Sequence, residues 1–144
     1  MCFLAHRYGD IILNMNIRGY VEYVPEVAQA EVLEFLEGER KEFSSGLMAT
    51  ALAQKGTDFQ RSVWQAIAEI PYGETASYKN LAERVGKPNA VRAVGTACGR
   101  NKFAIVIPCH RVLASGGGMG GYAFGLTMKK DLLKLEKALD MDCQ

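Results

Sequence analysis

The sequence predicts an α/β protein of the α+β kind. A small N-terminal strand-and-helix region leads into a mostly helical C-terminal domain that carries a helix-turn-helix and a cysteine-bearing loop. Three observations predict this. Apolar residues recur at helical spacing between capping and stop signals from residue 57 onward. β-Branched and aromatic residues cluster around Arg18-Gly19, and a glycine-rich loop follows Pro108-Cys109. A chain of 144 residues is long enough for one domain with a real core, or for one domain and a small partner. With 49% hydrophobic and 23% charged residues, it has the composition of a folded, soluble protein and not of a disordered or fibrous one.

Ile11, Ile12, Leu13, Ile17, Tyr20, Val21, Tyr23 and Val24 flank the turn-like Arg18-Gly19 and predict a short strand pair over residues 10–24. Pro25 opens and Gly38 closes an amphipathic helix whose apolar positions are Ala28, Val32, Phe35 and Leu36. Residues 39–56 have no strong period and read as a surface connection, so the boundary falls near residue 55. This gives a reduced N-terminal α/β domain over 1–55 and a C-terminal domain over 56–144. Thr57-Asp58-Phe59-Gln60 fits a capping box, followed by Phe59, Val63, Ile67 and Ile70 at helical spacing up to Pro71-Tyr72-Gly73. A second helix over about 77–85 stops at Gly86-Lys87-Pro88, and a third, capped by Asn89, runs to about Arg100. The two form a helix-turn-helix. Phe103 to Ile107 reads as a short apolar strand ended by Pro108, and residues 115–121 as a glycine-rich loop. Met128, Leu132, Leu135 and Leu139 mark a final helix opening after Thr127.

Residues 1–58 hold 5 Lys+Arg against 9 Asp+Glu, a net of −4, and residues 59–144 hold 12 against 7, a net of +5. The second part is therefore the candidate for a polyanionic partner. The longest apolar stretches fall far short of the roughly 20 residues of a membrane-spanning helix, and the N-terminus lacks the uninterrupted core of a secretory signal. The expected location is the cytoplasm, or the nucleus in a eukaryote, with no membrane partner. Cys2, Cys98, Cys109 and Cys143 form no CxxC pair and read as free thiols of a reducing compartment. Cys2 and His6 are too few to build a four-ligand structural metal site, so neither metal nor cofactor is expected.

The most informative run is Pro108-Cys109-His110-Arg111-Val112. A histidine can lower the barrier to using a neighbouring thiol as a nucleophile. Set against this is a buried core cysteine next to a surface histidine. Adjacent residues of an extended segment face opposite ways, so activation requires either a sharp turn after Pro108 or a bridging water. A phosphatase loop is excluded because Ser115 stands where its arginine belongs. Gly116-x-Gly118-x-x-Gly121 lacks the βαβ context of a dinucleotide site. The helix from Asn89 to Arg100 is built from small residues with Arg92 and Arg100 as its charges. That suits either close approach to a DNA groove or tight packing on a neighbouring helix.

Taken together, these residues resemble the O6-alkylguanine-DNA alkyltransferases. The resemblance runs from about Gly56 to Leu139. It rests on Gly56-Thr57-x-Phe59-Gln60-x-x-Val63-Trp64, Ile70-Pro71-Tyr72-Gly73-x-Thr75-x-Ser77-Tyr78, Arg92-Ala93-Val94-Gly95, Arg100-Asn101 and Ile107-Pro108-Cys109-His110-Arg111-Val112. Gly121-Tyr122-x-x-Gly125-Leu126 and Leu132-Leu133-x-x-Glu136 continue it. It implies direct repair of DNA, in which a methyl or larger alkyl group passes irreversibly, once per molecule, from O6-alkylguanine (or O4-alkylthymine) to Cys109.

The resemblance further implies that His110 draws the thiol proton through a water and that Glu136 holds the imidazole. Tyr78 would donate to the departing guanine, and Asn101 would belong to the active-site hinge. Arg92 would fill the gap left by the extruded base. Ala90, Val91, Ala93, Gly95, Thr75 and Ser77 would lie on the DNA, in its minor groove and with little sequence preference. Tyr78, Pro108, Val112, Tyr122 and Met119 would line the base pocket. The implied partner is double-stranded DNA carrying alkylated bases, bound by a monomer. Phe124 departs from the glycine that many members carry there, and the region before Gly56 is short for the family. Two other readings compete: a non-catalytic lesion-binding relative, which lacks the acceptor cysteine, and a sequence-specific helix-turn-helix regulator, which needs polar base-reading side chains on the Asn89–Arg100 helix.

Overall fold

The computed structural model describes residues 17–116 and 118–142. The strand expected over residues 10–16, together with Cys2, His6 and Cys143, lies outside them. Where the rest of the strand pair was expected, Ile17–Val21 forms a helix, α1. Tyr20 from α1 is buried against the core, and its hydroxyl donates to Asp131 at 2.6 Å. The alternation of apolar side chains around Arg18-Gly19 thus serves one turn of helix packed on the C-terminal helix.

Helix α2, Glu26–Leu36, buries Ala28, Val32, Phe35 and Leu36, the face expected from its spacing. Residues 39–56 are not merely a surface connection, because Ser45–Leu52 forms α3. The Ser44 hydroxyl caps it by accepting from the Leu47 amide, and Leu47 and Ala51 point inward. Thr57 and Gln60 form the predicted capping box at the start of α4, Asp58–Ala68, an arrangement worth about 1 kcal/mol at its N-terminus. Val63, Trp64 and Ile67 of α4 are fully buried, and the Trp64 indole donates to the Ala97 carbonyl at 2.9 Å. Gly56 cannot carry a side chain here, since a Cβ would stand 2.5 Å from the Trp64 ring.

The helix-turn-helix is α5, Tyr78–Arg84, and α6, Val91–Arg100. Ser77 and Asn80 make a second capping box at α5. Asn89 does not cap α6 as expected. It sits in a turn closed by the Ala90 amide on the Lys87 carbonyl, and Ala90, without a capping side chain, precedes the helix. Val94 and Ala97 face inward.

Phe103–Ile107 is not the expected strand. It is a run of turns, buried throughout, in which Ile105 has φ 74°. A β-branched residue in the left-handed region is strained. The chain then enters a 3-10 turn, Cys109–Arg111. The two short strands, β1 at Ala76–Ser77 and β2 at Val112–Leu113, pair in parallel, with Ala76 opposite Val112 and Ser77 opposite Leu113. Helix α7, Leu126–Asp142, buries Met128, Leu132 and Leu135; the side chain of Leu139 lies beyond the described residues. One cluster of buried side chains extends from Tyr20 to Leu135, across the boundary expected near residue 55. Among the described residues no helix is long and apolar enough to cross a membrane.

Candidate active site

Pro108 ends the buried turns, and the 3-10 geometry after it swings Cys109 and His110 out of simple alternation. A sharp turn after Pro108 is one of the two arrangements left open for the Cys-His pair. Cys109 is 5% exposed and lines a pocket of about 140 Å³, bordered also by Tyr78, Gly95, Cys98, Gly99 and Tyr122.

Behind the thiol, Asn101 caps the end of α6 and links four points of the chain. Its amide nitrogen donates to the Ile107 carbonyl at 3.1 Å and to Cys109 Sγ at 3.3 Å, and its oxygen accepts from the Phe103 amide at 2.9 Å. That same oxygen accepts from Gln54 Nε2 at 2.8 Å, while Gln54 Oε1 takes the Lys102 amide at 2.9 Å. Gln54 was not anticipated. Glutamine two residues past the end of an unrecognised helix carries no sequence signal of this role.

His110 and Glu136 are 0% and 1% exposed, and His110 Nε2 hydrogen-bonds Glu136 Oε2. The other carboxylate oxygen accepts from Arg111 Nε at 2.8 Å and from the Gly73 amide at 3.1 Å, and Arg111 Nη1 donates to the Ile70 carbonyl at 2.7 Å. The Ile70-Pro71-Tyr72-Gly73 turn therefore wraps the carboxylate. Burial acts to raise the Glu136 pKa, but His110 and Arg111 outweigh it and hold the carboxyl well below its ordinary range. Burial pushes His110 down, against the pull of Glu136. The pair is thus a neutral imidazole on a carboxylate. Nε2–H donates to Glu136, which leaves Nδ1 buried, unprotonated and without a hydrogen-bond partner among the described residues.

The Cys109 thiol is pushed well above its ordinary pKa by contact with the Cys98 thiol and by burial, and Asn101 and Lys129 act in the opposite direction. Lys129 was also not anticipated. It is fully buried, and its ammonium donates to the carbonyls of Val112 and Met119, both at 2.6 Å, and Gly121 at 3.0 Å. It cross-links the two ends of the glycine-rich loop. Lysine is so seldom buried that nothing at this position in the sequence marks such a role.

Tyr78 hydrogen-bonds the Gly121 carbonyl at 3.3 Å, and burial raises its pKa, so it stands protonated over the pocket. Gly120, at φ +71°, passes so close that a Cβ would lie 2.8 Å from the Tyr78 ring. Tyr122 has a buried hydroxyl without a hydrogen-bond partner among the described residues, a deficit of about 1–3 kcal/mol that an incoming polar group would relieve. Phe124 stacks edge-on to Tyr122 at 5.5 Å, outside the pocket lining. Of the other residues implied for the pocket, Pro108 lines a separate cleft with Tyr72 and Arg111. Val112 is fully buried, and Met119 contributes its carbonyl to Lys129.

On the outer face of α6, Val91, Arg92 and Ala93 are exposed, and Ala90 and Gly95 are half-buried. Among the described residues, a Cβ at Gly95 or Gly99 would meet no atom within 4 Å. The small residues there are not explained by packing on a neighbouring helix; they leave an open face beside the pocket. Thr75 is exposed, whereas Ser77 is engaged in capping α5.

Residues 58–138 match the family described as "6-O-methylguanine DNA methyltransferase, DNA binding domain". A methylated-DNA–protein-cysteine methyltransferase of Methanosarcina barkeri is 62% identical over 86 residues, covering 60% of this chain and 54% of that protein. The chain thus spans about half the length of that curated relative. The protein of the same name from Mycobacterium leprae is 49% identical over 141 residues, covering 90% of this chain and 82% of its own. A crystal structure of Mycobacterium tuberculosis OGT in complex with DNA superposes with a TM-score of 0.68 at 43% identity, covering 78% of this chain and 66% of that one. Over more than half its length, and through the segment that carries the thiol, the imidazole and the carboxylate, this chain belongs to the 6-O-methylguanine DNA methyltransferase family.

Proposed function

We propose that the protein repairs DNA by taking an alkyl group from O6 of guanine onto Cys109, once per molecule. The observation that carries this reading is the buried line of groups behind one pocket-facing thiol: Asn101 on the sulfur, and His110 beside it with Nδ1 free and Nε2 held by Glu136. The thiol rests protonated. His110 takes its proton through a water as the sulfur attacks the alkyl carbon, and Glu136 stabilises the imidazolium so formed. The carbon–oxygen bond breaks as the carbon–sulfur bond forms, and Tyr78 donates a proton or hydrogen bond to the leaving guanine. The product is a thioether, which has no easy route back.

Duplex DNA carrying the lesion is the proposed partner, bound by a monomer through the outer face of α6 in the minor groove, with little sequence preference. Arg92 enters the base stack in place of the extruded nucleotide, flanked by Ala90, Val91, Ala93 and Gly95, and phosphate contacts supply the remaining affinity. Tyr122 meets the polar edge of the base, where its hydroxyl gains the partner it lacks.

The test is intact-protein mass spectrometry with peptide mapping after mixing the protein with a duplex containing one O6-methylguanine and no cofactor. A stoichiometric gain of one methylene on the Cys109 peptide is expected. Unchanged mass with the duplex bound would overturn transfer and leave lesion binding.

A further inference from the structure

Alkyl transfer uses one sulfur, yet two line the pocket. Cys98, half-buried on the third turn of α6, borders the same pocket as Cys109. Its carbonyl lies 3.7 Å from Cys109 Sγ, and both free thiols border that one pocket. Gly95 and Gly99, a turn before Cys98 and next after it, leave open space along that side of the helix, so the Cys98 side chain has room to turn. The two sulfurs need to approach to about 2.05 Å for a bond between them.

We propose that Cys98 is a resolving cysteine: in the presence of a hydroperoxide it closes an intramolecular disulfide with Cys109, which withdraws the acceptor sulfur reversibly. That this blocks repair rests on the reading of Cys109 as the alkyl acceptor. Cys109 attacks the peroxide oxygen, giving a sulfenic acid and releasing water or an alcohol. The Cys98 sulfur then attacks the sulfenic sulfur, expelling hydroxide that leaves as water. Overall two thiols lose two electrons and two protons, and the peroxide is reduced. The chemistry suits a protein used once. An unguarded sulfenic acid proceeds under further peroxide to sulfinic acid and is lost, whereas a disulfide is recovered by any thiol reductant.

The test uses the full chain with Cys2→Ser and Cys143→Ser, so that Cys98 and Cys109 alone remain, treated with hydrogen peroxide. Expected are an intact mass lower by two hydrogens, a non-reduced peptide joining Cys98 to Cys109, and loss of methyl acceptance that dithiothreitol restores. With Cys98→Ala added, peroxide carries Cys109 to sulfinic acid and dithiothreitol restores nothing. The proposal is overturned if no joined peptide forms, if the link is between chains, or if Cys109 reaches sulfinic acid equally fast with and without Cys98. The joined peptide is read without any alkylated DNA. A protein that forms it yet never accepts a methyl group would sink the acceptor reading alone.

Discussion

The wall behind Cys109 and the face in front of it are built on opposite rules. Behind, Glu136 accepts from His110, Arg111 and Gly73, Asn101 joins Gln54, Phe103, Ile107 and the sulfur, and Lys129 spans three carbonyls; the side chains of Glu136, His110, Arg111, Asn101 and Lys129 are all buried. In front, among the described residues, α6 shows glycines with nothing over them, Arg92 stands in solvent, and the Tyr122 hydroxyl has no partner. The groups that position the reacting sulfur are fixed before substrate arrives, and the groups that would meet substrate are left unsatisfied. Preorganised polar groups of the first kind cost nothing to reorient during reaction.

Breaking the back wall has the largest expected effect. Glu136→Ala strands a buried Arg111 and removes the His110 partner, so we expect about 3–5 kcal/mol of destabilisation and no methyl transfer, read by urea unfolding and by the mass assay. The same carboxylate predicts an acid limb. The folded protein holds Glu136 at about 2 against an ordinary 4.5, so protonation favours the unfolded chain. Its contribution is complete above about pH 4.5 and is lost as pH falls toward 2. In Glu136→Gln that part of the pH dependence of the urea midpoint is expected to vanish; an unchanged acid limb would mean other carboxylates set it. Lys129→Met leaves the buried Val112 carbonyl without its donor and frees the Met119 carbonyl beside it, and a loss of about 1–3 kcal/mol is expected.

The front face should behave in reverse. Gly95→Ala removes a helix-interior glycine at a position with open space, so α6 gains up to about 1 kcal/mol while transfer from duplex slows. A faster or unchanged duplex reaction would place the DNA elsewhere. Arg92→Ala should leave stability within about 0.5 kcal/mol and slow transfer from duplex far more than transfer from free O6-methylguanine. Equal slowing on both would remove the stack-filling role.

Legibility in the sequence followed the same division. α4 was readable because Thr57 and Gln60 announce a cap and four apolar residues follow in step, and α7 because its inner leucines recur at helical spacing. Phe103–Ile107 was not, since a short apolar run fits a strand and a buried turn equally well, and only the backbone reveals the left-handed Ile105. α3 escaped because Ser45–Leu52 has almost no polar face to set against its buried side, although Ser44 as a cap was a usable signal. The start of α6 was misplaced because Asn89 has a capping side chain and Ala90, which precedes the helix, has none. Cys109 and His110 stood out by their chemistry. Glu136 entered through the resemblance alone, and Gln54 and Lys129 not at all, since Gln54 depends on partners 47 and 48 residues away and Lys129 on backbone carbonyls of a loop 8 to 17 residues before it.

The parallel pairing of β1 with β2 is too small to count as a layer of the fold, two residues on each side. It nevertheless rivets the start of the helix bearing Tyr78 to the segment that leaves Cys109. The backbone amides inside that rivet exchange with deuterium only when the two walls of the pocket part. Their exchange rate is therefore a clock for the opening of the site, and a base seated between Tyr78 and Cys109 should slow it while leaving the amides of α2 ticking at their former pace.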